Sequence, residues 1–238
     1  MTRPRLLLVP GLMCDARVWA PQVDALQTIA NVSVVDLSAP DTLTGQARAV
    51  IEQIGDGPCA LAGLSMGGLV ALEVMRLAPE HITHFALWDS NAGADPPDKR
   101  RERPIQIATA TEIGLEAMTR RELAPYYLGD LAASRPDLTD LLVQMALDLG
   151  IAVFRRQIAA LRDRHDNWPV LPTIKVPTLI GCGENDQVCP AERHRTMAER
   201  VEGAELVVVP DCAHLPMLER PEIVTAALVD WLQRKNEP

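Results

Sequence analysis

The sequence predicts an α/β protein: a mostly parallel, doubly wound sheet of about six strands, with helices on both faces and a helical insertion. Three observations predict it. Short apolar runs alternate with helix-like segments along most of the chain, the pattern of repeated strand–helix units. One stretch, Gly63-Leu64-Ser65-Met66-Gly67-Gly68, sits between a strand-like run and a helix-like run. A long interval, about Ala92 to Thr173, carries no strand pattern at all. At roughly 80 residues it exceeds any single loop of a compact domain.

The elements follow in order. Arg5 to Val9 is an apolar run closed by Pro10-Gly11, which fits a buried parallel strand. Asp15 caps a helix whose apolar positions are Val18, Trp19, Val23, Leu26 and Ile29. Val32 to Asp36 reads as the second strand, and Leu43 to Ile54 as a helix capped by Thr42. Cys59 to Ala62 begins the third strand, and Leu69 to Leu77 the helix after it, stopped near Pro79. His84 to Trp88, Val176 to Gly181 and Glu205 to Val209 supply the fourth to sixth strands. Helices are expected at about Ala191–Val201 and Pro221–Leu232, the latter opened by its proline. Within the long interval, helices are expected near Asp98–Ala110, Glu112–Leu128, Pro136–Leu149 and Ile151–Arg164. Residues 1–91 and 174–238 then form a core, with 92–173 inserted over one end of its sheet.

Composition narrows the function. The 238 residues are 47% hydrophobic and 23% charged, enough for a substantial core. A net charge of −9 argues against nucleic acid and anionic membrane as partners. The run Lys99-Arg100-Arg101-Glu102-Arg103 reads as a solvated face. Five cysteines without a C-x-x-C pair fit a reducing compartment and neither a disulfide framework nor a zinc site. Leu6 to Val9 is too short for a signal-peptide core, and no apolar run is long enough to span a bilayer. A cytoplasmic protein is expected, with no metal and no cofactor; whether it forms a homodimer is left open.

Chemistry enters with Ser65. Glycines two residues to either side, at a strand-to-helix corner, make the G-x-S-x-G nucleophile elbow. The corner lifts the hydroxyl clear of the sheet edge, at a helix N-terminus with free N–H groups. A serine hydroxyl needs a base, and the base needs an orienting acid. Of the five histidines (81, 84, 165, 194 and 214), only His214 follows the C-terminal end of a strand. Strand C-termini of a parallel sheet share one edge, where sites form. The fifth strand runs to that edge with Gly183-Glu184-Asn185-Asp186, so Asp186 is the expected acid and Glu184 the alternative.

These pieces resemble the α/β-hydrolase fold family: Gly63-x-Ser65-x-Gly67, Gly183-x-x-Asp186, and Ala213-His214 followed by Glu219 and Pro221. The resemblance covers nearly the whole chain and is closest to serine esterases with a helical cap. It implies Ser65 as nucleophile, His214 as base and Asp186 as acid. It also implies an oxyanion hole made by the backbone N–H groups of Leu12 and Met66, and a cap formed by the insertion. The chain departs from the family in carrying Pro10-Gly11 where His-Gly is usual, so the support of that loop must differ. The family often begins with an extra antiparallel strand pair, and here a minimal six-stranded core is expected instead.

The implied reaction is hydrolysis of a small carboxylic ester, lactone or thioester through an acyl-enzyme. C–C bond hydrolysis of a diketone, or ligand binding with little turnover, are the alternatives. Candidate pocket residues are Leu12, Met13, Met66, Trp88, Met118, Tyr126, Tyr127, Leu128, Met145 and Phe154. Taken together they lead to the expectation of a mainly apolar substrate.

Overall fold

The computed structural model describes residues 3–235. Its sheet has six strands in the order β2-β1-β3-β4-β5-β6, and every neighbouring pair is parallel. The strands are β1 (Arg5–Val9), β2 (Asn31–Val34), β3 (Cys59–Leu64), β4 (Ile82–Trp88), β5 (Thr178–Gly183) and β6 (Glu205–Val209). The central strands β3 and β5 are buried at every position, while the edge strand β2 alternates exposed and half-buried residues. That contrast is why the inner strands are continuous apolar runs and the edge is not.

Side chains sort by the two-residue period of a strand into two layers. Leu7, Val9, Leu61, Phe85, Leu87 and Ile180 face one cluster. Leu6, Leu8, Ala62, Ala86, Trp88 and Leu179 face the other. The first layer packs on α2 (Leu43–Ile54) and α3 (Met66–Leu77), the second on α1 (Ala20–Leu26) and on α11 (Pro221–Leu232). Thr42 caps α2 by accepting from the Gly45 N–H, and Asp15 caps the short 3₁₀ turn Ala16–Trp19 ahead of α1.

Between β4 and β5 lie α4 (Pro97–Ile113), α5 (Leu115–Met118), α6 (Ala124–Leu128), α7 (Leu131–Ser134) and α8 (Pro136–Arg162). The expected helix from Glu112 to Leu128 is broken. Gly114, with φ 81°, ends α4 at Ile113, and a π turn over Thr119–Leu123 separates α5 from α6. Gly150, with φ 80° and ψ 166°, kinks α8 between the two helices expected there. After β5 come α9 (Ala191–Ala198) and, before α11, the single turn α10 (Pro216–Glu219). Strand β5 starts two residues later than expected, because Pro177 cannot donate to the ladder and instead offers its carbonyl to Phe85 N–H. No helix among the described residues is long and apolar enough to cross a membrane.

The tightest backbone approach is at the corner between β3 and α3. A Cβ on Gly63 would meet the Gly67 backbone, and one on Gly67 would meet the carbonyls of Val9 and Pro10 at the end of β1. Gly67 therefore lets α3 come down onto β1, rather than making room for a side chain at position 63. Gly67→Ala should lower stability by about 1–3 kcal/mol, the usual cost of overpacking. Gly57→Ala, where the nearest atom is the Arg5 guanidinium at 3.4 Å, should change it little. Chemical denaturation of both variants checks this, and equal midpoints would contradict it.

Candidate active site

The sheet brings three loops to its C-terminal edge. The turn after β3 carries Ser65, whose φ of 52° and ψ of −114° lie in a region few non-glycine residues occupy. Its N–H donates to the Trp88 carbonyl at 2.8 Å, and its carbonyl accepts from Ser90 Oγ at 2.8 Å. Ser90 stands where a Cβ on Gly68 would be, which explains the second glycine of the pair.

Ser65 Oγ lies 2.9 Å from His214 Nε2, and His214 Nδ1 lies 2.8 Å from Asp186 Oδ2. His214 and Asp186 are both buried. Burial alone would raise the Asp186 carboxyl. The facing His214 and the N–H groups of Cys189 and Val188 outweigh that and hold it below the usual carboxylate range. An ionised carboxylate only accepts, so Nδ1 carries the imidazole proton and Nε2 is left to accept from the serine hydroxyl. Glu184, the alternative acid, is exposed and accepts from the Asp211 N–H instead.

His214 is held from both sides. Its N–H donates to the Tyr127 carbonyl at 2.9 Å, and the Tyr127 ring packs 5.1 Å from the imidazole. The buried Glu219 accepts from the N–H groups of Ala213 (2.7 Å) and Leu215 (2.8 Å), the neighbours of His214. The loop after β1 is tied to the helical segment where the family's histidine would support it. Met13 N–H donates to Gln157 Oε1 at 2.9 Å, and Tyr127 OH donates to the Leu12 carbonyl at 3.3 Å. Neither Leu12 N–H nor Met66 N–H donates to another group among the described residues. Both residues line the same cavity as Ser65.

Two further buried groups stand behind Ser65, and neither was singled out from the sequence. Asp89 follows β4 with φ 44° and accepts from the Gly183 N–H at 2.8 Å. Burial, then the nearby Asp186 charge, push its carboxyl well up. His194 accepts the Ser90 N–H on Nε2 at 2.9 Å, and its Nδ1 faces the Pro190 carbonyl. The chain His194–Ser90–Ser65 thus braces the strained corner. The signal in the sequence was an acidic residue one position past a strand end, and a histidine on a helix that packs under the same edge.

The cavity over Ser65 measures about 600 Å³. Tyr126, Tyr127, Leu12 and Met66 line it, as expected. Met13, Trp88, Met118 and Met145 do not; each is buried in the core clusters, as are Leu128 and Phe154. Large apolar side chains near the edge pack the helices onto the sheet, which is the lower free-energy use of their surface. Beside apolar side chains such as Leu69, Leu123 and Trp168, the lining includes Asp95, Lys99, Arg103, Arg164 and Arg193, charged groups that the sequence reading did not place there. Asp186, Cys189 and His214 place one ligand atom each within 4.8 Å of one another. Burial first, and Asp186 second, push the Cys189 thiol well up, and the other two are engaged with each other, so this set suits a hydrogen-bond relay better than a cation.

Residues 6–227 match the Alpha/beta hydrolase family. The chain belongs to that family. It is 25% identical to the pimeloyl-[acyl-carrier protein] methyl ester esterase of Neisseria meningitidis, over 96% of this chain and 77% of that protein. It spans about half the length (48%) of the biotin biosynthesis bifunctional protein of Cellvibrio japonicus, which it matches at 25% identity over 98% of its own residues. Among solved structures it is similar to a malate-bound thermophilic esterase from Thermogutta terrifontis, with 26% identity and a TM-score of 0.89 over 99% of this chain and 92% of that one. It is also similar to the enol-lactonase of Burkholderia xenovorans, with 25% identity and a TM-score of 0.86 over 98% and 93%. The fold is that of a hydrolase, and the relatives are esterase-type enzymes.

The bracing histidine yields a pH prediction. Burial lowers His194 to about 4, against about 6.5 for a free imidazole. The folded state therefore favours neutral His194, and that stability is full above ~6.5 and is lost as pH falls towards ~4. Its full loss amounts to roughly 3 kcal/mol. The thermal midpoint should drop between pH 6.5 and 4, and less so in His194→Gln, which keeps an acceptor but cannot titrate. Parallel curves for the two proteins would contradict this account.

Proposed function

We propose that this protein hydrolyses carboxylic esters, including cyclic ones, through an acyl-enzyme on Ser65. The observation that carries the reading is the continuous hydrogen-bonded line from Ser65 Oγ through His214 to Asp186, 2.9 and 2.8 Å long, opening into a cavity. His214 Nε2 takes the hydroxyl proton as Oγ attacks the carbonyl carbon. The imidazolium that forms is stabilised by ionised Asp186. The oxyanion is met by the N–H groups of Met66 and Leu12, both uncommitted among the described residues. His214 returns its proton to the leaving alcohol, and a water repeats the sequence to release the acid. The esterase and enol-lactonase relatives support an ester carbonyl, open or cyclic. Residues 92–173 serve as a cap: they contribute Tyr126, Tyr127, Arg103 and Arg164 to the cavity wall. Five free, buried cysteines support a reducing, cytoplasmic setting.

The test is Ser65→Ala on an activated ester such as p-nitrophenyl acetate. The rate should fall at least about a thousandfold, with the fold retained by circular dichroism. Turnover in a folded Ser65→Ala protein comparable to the parent would rule the mechanism out.

A further inference from the structure

We propose that the cavity takes an ester that also bears an acidic group, carboxylate or phosphate, remote from the bond that is cut. The proposal rests on the ester-hydrolase reading and adds the substrate class. The chain carries a net charge of −9, yet its cavity wall holds four cations, Lys99, Arg103, Arg164 and Arg193, against the single carboxylate of Asp95. Such a reversal of sign in a partly enclosed cleft concentrates the field where a ligand sits.

The four cations divide the task. Arg164, buried in the wall, spends its donors inside the protein: on Asp95 (2.5 Å), the Gly93 carbonyl (2.8 Å) and the Leu161 carbonyl (3.0 Å). Arg103 shares the same carboxylate through two donors, at 2.8 and 3.4 Å, and donates to Gln106 at 3.2 Å. One carboxylate between two guanidiniums leaves a positive charge uncompensated at low solvent exposure. Burial, and then Arg103, depress Arg164, partly offset by Asp95, the strain expected of an under-neutralised pair. Arg193, exposed on α9, lines the cavity and makes no ion pair and no side-chain hydrogen bond among the described residues, so its donor fork is free for a ligand. Lys99 is exposed at the rim and pairs with Glu102. Arg193 is therefore the group that contacts the acidic end, Lys99 adds long-range attraction, and Arg103 and Arg164 set the potential from behind. Ser65 lines the same cavity of about 600 Å³, so one ligand of modest size reaches both.

The test compares methyl hydrogen esters of five- to seven-carbon dicarboxylic acids with methyl esters of uncharged acids of equal length. The acidic member of each pair should be favoured at least about tenfold in kcat/KM, chiefly through KM, and the preference should shrink as salt is added. Arg193→Gln, at an exposed position, should cut the preference by about tenfold, read as the ratio of acidic-ester to neutral-ester kcat/KM within each protein. In a second arm, free dicarboxylates and inorganic phosphate compete against a neutral p-nitrophenyl ester. Inhibition by either at low salt, lost in Arg193→Gln, supports the proposal and identifies which acidic group is read. A preference of one or less for the acidic esters, or one unchanged in Arg193→Gln, overturns it. Neutral-ester turnover that still depends on Ser65 would then leave the hydrolase reading standing. Turnover independent of Ser65 would remove that reading instead.

Discussion

The arrangement depends on one backbone conformation, the left-handed corner at Ser65. A residue with a side chain at φ 52° and ψ −114° is held there only if the surroundings over-determine it. Here they do. The Trp88 carbonyl takes the Ser65 N–H, Ser90 takes the Ser65 carbonyl, and β1 closes on Gly67. The conformation points Oγ away from its own helix and towards His214, while the next N–H stays free. Strain at one residue thus presents both a hydroxyl and a free N–H at one place.

Behind that corner lies a polar layer that is largely buried. Asp89, Glu219 and His194 each bond backbone N–H groups of the loops that present the site. Burial raises the Asp89 and Glu219 carboxyls and lowers His194, whereas Asp186, facing His214, is held below the usual carboxylate range. The layer fixes the geometry of the loops around the imidazole. A group of cations stands in front of Ser65, on the cavity wall, where a ligand can meet it.

Much of this was legible in the sequence. The alternation of apolar runs and helical segments gave the order of elements, and glycine spacing marked the corner. Strand C-termini told His214 from the other four histidines, and chain order favoured Asp186. Other features were not legible. Met118, Met145 and Trp88 look like pocket residues by type, yet burial claims them for the layers between helices and sheet. Arg103 was read as part of a solvated run, although the turn of α4 points it inward onto Asp95. A charge run on a helix has an inner face, and only packing shows which residue occupies it. The support of the loop after β1 was equally hidden, because its partners Gln157 and Tyr127 come from more than a hundred residues away.

The central claim is that native folding, and nothing intrinsic to serine, activates Ser65. Labelling with a fluorophosphonate, read by intact mass and peptide mapping, tests it most directly. The folded protein should take up one adduct, on Ser65, and the urea-unfolded chain none. No adduct on the folded protein, or an adduct on another residue with Ser65 untouched, would contradict the account.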